Sequence, residues 1–235
     1  MTLTTCTVDT ITPLTPNVQR VVLVPEQPVD FLPGQYLQLC LTDQDKRPFS
    51  LASLPGQKQL ELHIGASAAD EYSSQALNYL QQQQQSGQSV RVEAGLGHAH
   101  LRTDRDNPIV LLAGGTGFSY IYSIAQALQQ QSNNRPVFLY WGVRQQAALY
   151  LLPELQQWAS SQSSFRFIPV VQDADDSWQG RTGFVHEAVL EDFVSLEAYD
   201  IYIAGPFPMV GVARDAFLKQ GAHQQQMFAD AFAYI

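Results

Sequence analysis

The chain has 235 residues, enough for one large or two modest domains with a substantial core. A net charge of −9 and the lack of any basic block exclude nucleic acid and acidic membrane surfaces as partners, because no cation cluster exists to displace counterions. Two cysteines, Cys6 and Cys40, exclude a disulfide scaffold and a four-cysteine iron–sulfur or zinc centre; each stands in an alternating apolar run and reads as a buried thiol. Met1 to Thr12 carries no basic start or apolar run, and no segment has the length of a membrane span, so a soluble cytoplasmic protein is expected.

The first part of the chain reads as β. Thr7 to Ile11, Val18 to Val24, Gln35 to Leu41, Leu60 to Ile64 and Val90 to Val92 are short β-branched or alternating runs. Pro13, Pro16, Pro25, Pro28, Pro33-Gly34 and Pro55-Gly56 punctuate them, a spacing that suggests an antiparallel barrel. One helix interrupts at about Tyr72 to Gln85, with Ala76, Leu77 and Leu80 on its apolar side and a solvated glutamine run at its end. The polar stretch Arg102 to Pro108 is the expected boundary, giving domains 1–101 and 102–235.

From Ile109 onward strands and helices alternate. The strands are Ile109–Ala113, Val137–Gly142, Phe167–Val171 and Ile201–Ala204; the helices lie near Phe118–Gln130, Leu151–Ser160, His186–Phe193 and Pro208–Lys219. Such alternation implies a parallel sheet covered on both faces, with ligands at the carboxyl ends of its strands. The tail alternates Phe228, Asp230, Phe232 and Tyr234, which suits either an apolar last strand or an aromatic that closes a ligand site.

Two motifs carry the chemistry. Ile109 to Ala113 leads into Gly114-Gly115-Thr116-Gly117-Phe118-Ser119 and then a helix, so a backbone without side chains and a helix N-terminus are offered to a ligand. Upstream, Arg47-Pro48-Phe49-Ser50 holds an arginine and a hydroxyl on a stiff extended backbone, against which a planar ring can lie. His98-Ala99-His100 would share a strand face, but no third ligand accompanies the pair, so no metal is expected.

In this order the two motifs resemble the ferredoxin–NADP reductase superfamily, and above all its small NAD(P)H:flavin oxidoreductases, including those of luminous bacteria. Further matching stretches are His63-Ile64-Gly65-Ala66-Ser67, Tyr140-Trp141-Gly142, Gly180-Arg181-Thr182-Gly183, Ile203-Ala204-Gly205-Pro206 and Asp230-Ala231-Phe232-Ala233. The resemblance implies a flavin-binding antiparallel barrel followed by an α/β nicotinamide-binding domain. It implies hydride transfer from nicotinamide C4 to flavin N5, with Ser50 bonding the flavin edge near N5 and Arg47 supporting its polar tail. Pro48, Phe49, His63, Ile64, Gly65, Ala66 and Phe232 complete the implied flavin site. For NADH or NADPH the implied residues are Gly114, Gly115, Thr116, Gly117, Phe118, Ser119, Arg144, Gly205 and Pro206, with Arg144 at the adenosine ribose. Where other members of the superfamily carry cysteine before Gly-Pro, this chain has Ala204, so no cysteine role transfers.

Members that retain FMN or FAD hold its phosphates just beyond the barrel strand with glycine and basic residues. Here no glycine occurs between Gly65 and Gly87 and no Lys or Arg between Lys58 and Arg91, while Asp70 and Glu71 add negative charge. Riboflavin, FMN or FAD is therefore expected as an exchangeable substrate, reduced flavin passing on to an oxygenase, a luciferase-like enzyme or a ferric complex. The alternatives are a reductase with tightly bound flavin serving a protein partner, and a non-catalytic dinucleotide-binding regulator, against which Arg47 and Ser50 speak.

Overall fold

The computed structural model describes residues 2–66, 70–130 and 135–235. The chain divides into two compact units, residues 1–101 with 122–130 and residues 102–121 with 131–235. In the first, β1 (Thr2–Thr15), β2 (Val18–Pro25), β3 (Tyr36–Cys40), β4 (Lys46–Ser50), β5 (Leu60–Gly65) and β6 (Val90–Leu96) form an antiparallel sheet in the order β4-β3-β6-β1-β2-β5. Its two edge strands come back together: just past β4 the Ala52 amide donates to the Glu61 carbonyl of β5 at 2.8 Å, which closes the sheet into a barrel.

β1 is longer than the run Thr7–Ile11 suggests. Thr2–Cys6 pairs with β6 and the rest with β2, so β1 beyond Cys6 has a ladder partner on one side only, and Pro13 fits there without breaking a second ladder. β4 is an edge strand, the one kind of position where Pro48 costs no inner hydrogen bond. Helix α1 (Glu71–Ser86) starts where the Asp70 side chain accepts the Ser73 amide and stops at Gly87, whose φ of 68° is left-handed. Ala76, Leu77 and Leu80 bury against a barrel core that includes Leu37, Leu39, Leu62, Ile64, Val90 and Val92. Cys6 and Cys40 are buried free thiols, and burial pushes Cys6 up to about 12.

The second unit holds β7 (Ile109–Gly114), β8 (Val137–Val143), β9 (Phe165–Val171), β10 (Arg181–Thr182), β11 (Asp200–Ala204) and β12 (Met227–Phe228) in the parallel order β10-β9-β8-β7-β11-β12. Every residue of β7 is buried, as a run of apolar residues without alternation demands of a central strand. Along one face Val110, Leu112, Ile201 and Ile203 meet α4 (Val185–Asp192) and α5 (Phe207–Lys219) through Val185, Val189, Val210, Ala213 and Phe217. The chain steps outward from β7 through β8 and β9 and then returns to place β11 on β7's other side, so the strand order reverses beside β7. The carboxyl ends of β7 and β11 flank that reversal.

The segment 102–108 is fastened to this second unit. Asp200, fully buried at the start of β11, accepts from Arg135 Nη2 at 2.7 Å and pairs with Arg105 Nη1 at 3.3 Å; Arg135 also donates to the carbonyls of Asn107 and Arg102. Of the tail residues Phe228, Asp230, Phe232 and Tyr234, only Phe228 lies in a last strand. β12 has two residues, after which Asp230–Ala233 turns as a 3-10 helix and Phe232 packs against the α/β core.

Candidate functional site

On the barrel, strand alternation separates the motif into two faces. Phe49 packs against the barrel core, as do Ile64 and Ala66, so these three can offer a ligand their backbones rather than their side chains. Pro48 is exposed and Ser50 half-buried on the opposite face. Among the described residues no hydrogen-bond partner falls to the Ser50 hydroxyl, which leaves it available to a ligand edge.

Arg47 is differently disposed. Its guanidinium is buried, with Nε and Nη2 donating to the two carboxylate oxygens of Asp45 at 2.9 and 2.7 Å. Nη2 also reaches Gln75 Oε1 at 2.7 Å, Nη1 donates to the Tyr72 carbonyl, and the guanidinium lies 4.6 Å from the Tyr72 ring centroid. Arg47 thus pins the first turn of α1 to the barrel, and its hydrogen bonds, helped by its charge, in turn hold the Asp45 carboxyl below its usual range. A fork already closed on a carboxylate has little left for a phosphate.

On the outer face of β5, His63 is also committed. Its Nε2 lies 2.9 Å from Glu61 Oε1, and its ring sits 5.9 Å from that of Tyr122 in α2 (Phe118–Gln130). Arg20 Nη2 donates to the second Glu61 oxygen at 2.5 Å. Burial works to raise the Glu61 carboxyl, but the hydrogen bonds from His63 and Arg20 outweigh it and leave the group at about 2. Ser67, at the end of the matching stretch His63 to Ser67, lies outside the described residues.

In the α/β unit the three loop glycines have three separate reasons. A Cβ on Gly114 would lie 2.4 Å from Met209 Sδ, and one on Gly117 would lie 2.6 Å from the backbone of Ala204 and Gly205. Gly114 thus lets the end of β7 pack against Met209 of α5, and Gly117 lets the turn into α2 pack on the end of β11. Gly205, with φ of 152°, meets Gly114 from the other side, and Pro206 touches the same point. Gly115 alone faces open space, with φ of 55°, so it is the residue whose bare backbone a ligand can approach. Thr116 is half-buried, and among the described residues its hydroxyl has no hydrogen-bond partner. The fit to a dinucleotide therefore rests on the open backbone of Gly115 and the Thr116 hydroxyl, at the turn into α2.

The rest of the loop is internal support. Ser119 Oγ donates to the Thr116 carbonyl at 3.1 Å, and Phe118 is fully buried, stacked on Trp141 with ring centroids 3.8 Å apart. Trp141 Nε1 donates to the Gly115 carbonyl at 3.0 Å, a role that an apolar strand pattern does not reveal. Arg144 is exposed beyond β8 and donates to Asp173 at 2.8 Å. Phe232 stands half-buried beside Arg214, whose guanidinium lies 5.9 Å from its ring centroid. His98 and His100 follow β6 in a loop rather than a strand, so the shared face expected of them does not form; His100 Nδ1 lies 3.2 Å from the Leu101 carbonyl.

Comparison with known proteins follows the same lines. The oxidoreductase NAD-binding domain family matches residues 111–215. Over 98% of its length the chain is 43% identical to NAD(P)H-flavin reductases of Vibrio harveyi and Aliivibrio fischeri, and the match covers 98% of each. A cytochrome P450 reductase of Amycolatopsis superposes with a TM-score of 0.85 at 30% identity, over 97% of this chain and 69% of that one. The chain belongs to the NAD(P)H-flavin reductase family.

Proposed function

We propose that this oxidoreductase reduces flavins at the expense of NADH or NADPH, and that the flavin is an exchangeable substrate rather than a resident group. When both are bound, the nicotinamide supplies a hydride from C4 and the flavin ring accepts it at N5, a proton from water completing the reduction. The Ser50 hydroxyl bonds the flavin edge, Pro48 offers a flat exposed surface, and the backbones of Ile64, Gly65 and Ala66 border it. Gly115 and Thr116 receive the nicotinamide end of the dinucleotide. Catalysis is then mostly positioning and exclusion of water, with little acid–base work asked of the chain.

The observation that carries the exchangeable reading is the closed Arg47–Asp45 fork. The cation that the resemblance places at the flavin's polar tail is already neutralised, and no Lys or Arg stands between Lys58 and Arg91 to replace it. Reduced flavin would leave to serve a flavin-using oxygenase, a luciferase-like enzyme or a ferric complex. Two free buried thiols suit a reducing cytoplasm, and no helix of the described residues is long and apolar enough to cross a membrane. The deciding experiment is NADH and NADPH oxidation by dialysed protein with riboflavin, FMN and FAD. Colourless protein that turns over on addition of any of the three is expected. Yellow protein with stoichiometric flavin after dialysis would replace this reading with a bound-flavin reductase.

A further inference from the structure

The three residues after Ser50 form a buried segment that is neither strand nor helix, and their backbone is held from two sides. Leu51 N donates to the Gln35 carbonyl at 3.1 Å and Ala52 N to the Glu61 carbonyl at 2.8 Å, while Ser53 Oγ accepts the Glu61 amide at 3.1 Å. These bonds belong to the barrel. Two of the segment's three carbonyls are taken by α2: Gln126 Nε2 donates to Ala52 O at 2.6 Å, and Ser123 Oγ donates to Ser53 O at 2.8 Å. Ser123 and Gln126 stand three residues apart on one helical face.

The two bonds are not the helix's only anchorage, because Ile124, Ala125 and Leu128 also bury apolar side chains. Nor can water take their place at Ser53 and Ser123, which are 4% and 0% exposed. A buried carbonyl without a partner is costly, so the segment must keep these donors or move. If it moves, the first thing displaced is the strand end that presents Ser50.

We infer that Ser123 and Gln126 are positioning residues for flavin reduction: by holding the carbonyls of Ser53 and Ala52 they fix the backbone from which Ser50 presents its hydroxyl. The inference rests on the reading of Ser50 as the group at the flavin edge. Neither residue touches the ligand; each acts through the segment 51–53.

The test uses the full chain and four variants: Ser50→Ala, Ser123→Ala, Gln126→Met and the double variant Ser50→Ala with Ser123→Ala. Gln126→Met keeps the length of the side chain on a half-buried position and serves if Ser123→Ala folds poorly. Ser123→Ala and Gln126→Met should each lower kcat with riboflavin by about fivefold to fiftyfold and raise its KM, with KM for NADH changed by less than about twofold. The double variant should be no slower than Ser50→Ala alone, because the second change acts only through the first. Variants that lose melting temperature while kcat and riboflavin KM stay at wild-type values would show a purely structural role and overturn the inference. So would a double variant slowed by the product of the two single effects. If Ser50→Ala is slow and the helix variants are not, the positioning role alone fails. If Ser50→Ala reduces riboflavin at the wild-type rate, the reading of Ser50 fails and takes this inference with it.

Discussion

Trp141 ties β8 to the glycine loop through its indole N–H, which donates to the Gly115 carbonyl at 3.0 Å. Its ring also stacks on Phe118, the first residue of α2, with an interplanar angle of 10°. One side chain therefore fixes both the open glycine and the helix that follows it. Trp141→Phe keeps an aromatic ring and removes the donor. The expected result is a rise of about fivefold to tenfold in KM for NADH and NADPH, the scale of one lost hydrogen bond, with riboflavin affinity retained. Unchanged nicotinamide KM in initial-rate assays would mean that the loop holds its shape without Trp141.

The glycines of that loop should separate by experiment as they do in space. A Cβ on Gly117 would press on the backbone of Ala204 and Gly205, which cannot give way cheaply. Gly117→Ala should therefore cost about 2–3 kcal/mol of stability, the upper part of the usual overpacking range. Gly115 has room, and a side chain there meets only the strain of a positive φ, so Gly115→Ala should cost about 1 kcal/mol. Gly115→Val should fold as well, yet lose nicotinamide binding while still quenching flavin fluorescence. Urea titration ranks the stabilities; an equal loss for Gly115→Ala and Gly117→Ala would contradict the packing assigned to them.

This separation marks the limit of what the sequence discloses. Strand β7, the glycine turn and α2 are legible because an unbroken apolar run and a helical spacing each have one physical meaning. So is α1, whose Ala76, Leu77 and Leu80 face the core as their spacing requires. The two-residue strands β10 and β12 are not legible, since their existence depends on β9 and β11 lying alongside. Three glycines in four positions announce a tight turn, but which of them faces a ligand depends on Ala204 and Met209, far along the chain. The Arg47–Asp45 pair is two residues apart and could have been suspected from alternation. Its completion by Tyr72 and Gln75 could not, because only the folded chain brings α1 there.

Glu61 predicts a pH dependence of stability. Its carboxyl lies at about 2 in the folded chain against 4.5 for an unperturbed glutamate, held down by His63 and Arg20 against the pull of burial. A depressed carboxylate contributes stability that is fully present above the unfolded value and is lost as pH falls through the folded one. Glu61→Gln should therefore cost about 2–3 kcal/mol at pH 7, and the gap between variant and wild type should close between about pH 4.5 and 2. Parallel urea titrations at descending pH measure it. A gap that persists unchanged at pH 2.5 would mean that the carboxylate charge is not what stabilises this corner.

The final prediction concerns the flavin's polar tail and follows from the closed fork of Arg47 on Asp45. A phosphate bound through two charge-assisted contacts would favour FMN over riboflavin by roughly a hundredfold or more. With the guanidinium already engaged, riboflavin, FMN and FAD should instead bind within about tenfold of one another, and the protein should lose flavin on dialysis. Asp45→Asn tests the cause, since it keeps the shape of the partner and removes its charge. In that variant riboflavin affinity should stay near the wild-type value, while FMN should gain about threefold to tenfold relative to riboflavin as the Arg47 charge becomes available. The gain should shrink as salt is added, because it is electrostatic. Titration of flavin-free protein at low ionic strength reads both quantities from flavin fluorescence. A wild-type preference of a hundredfold for FMN or FAD would reveal a phosphate site elsewhere, and an unchanged FMN-to-riboflavin ratio in Asp45→Asn would place the phosphate away from Arg47.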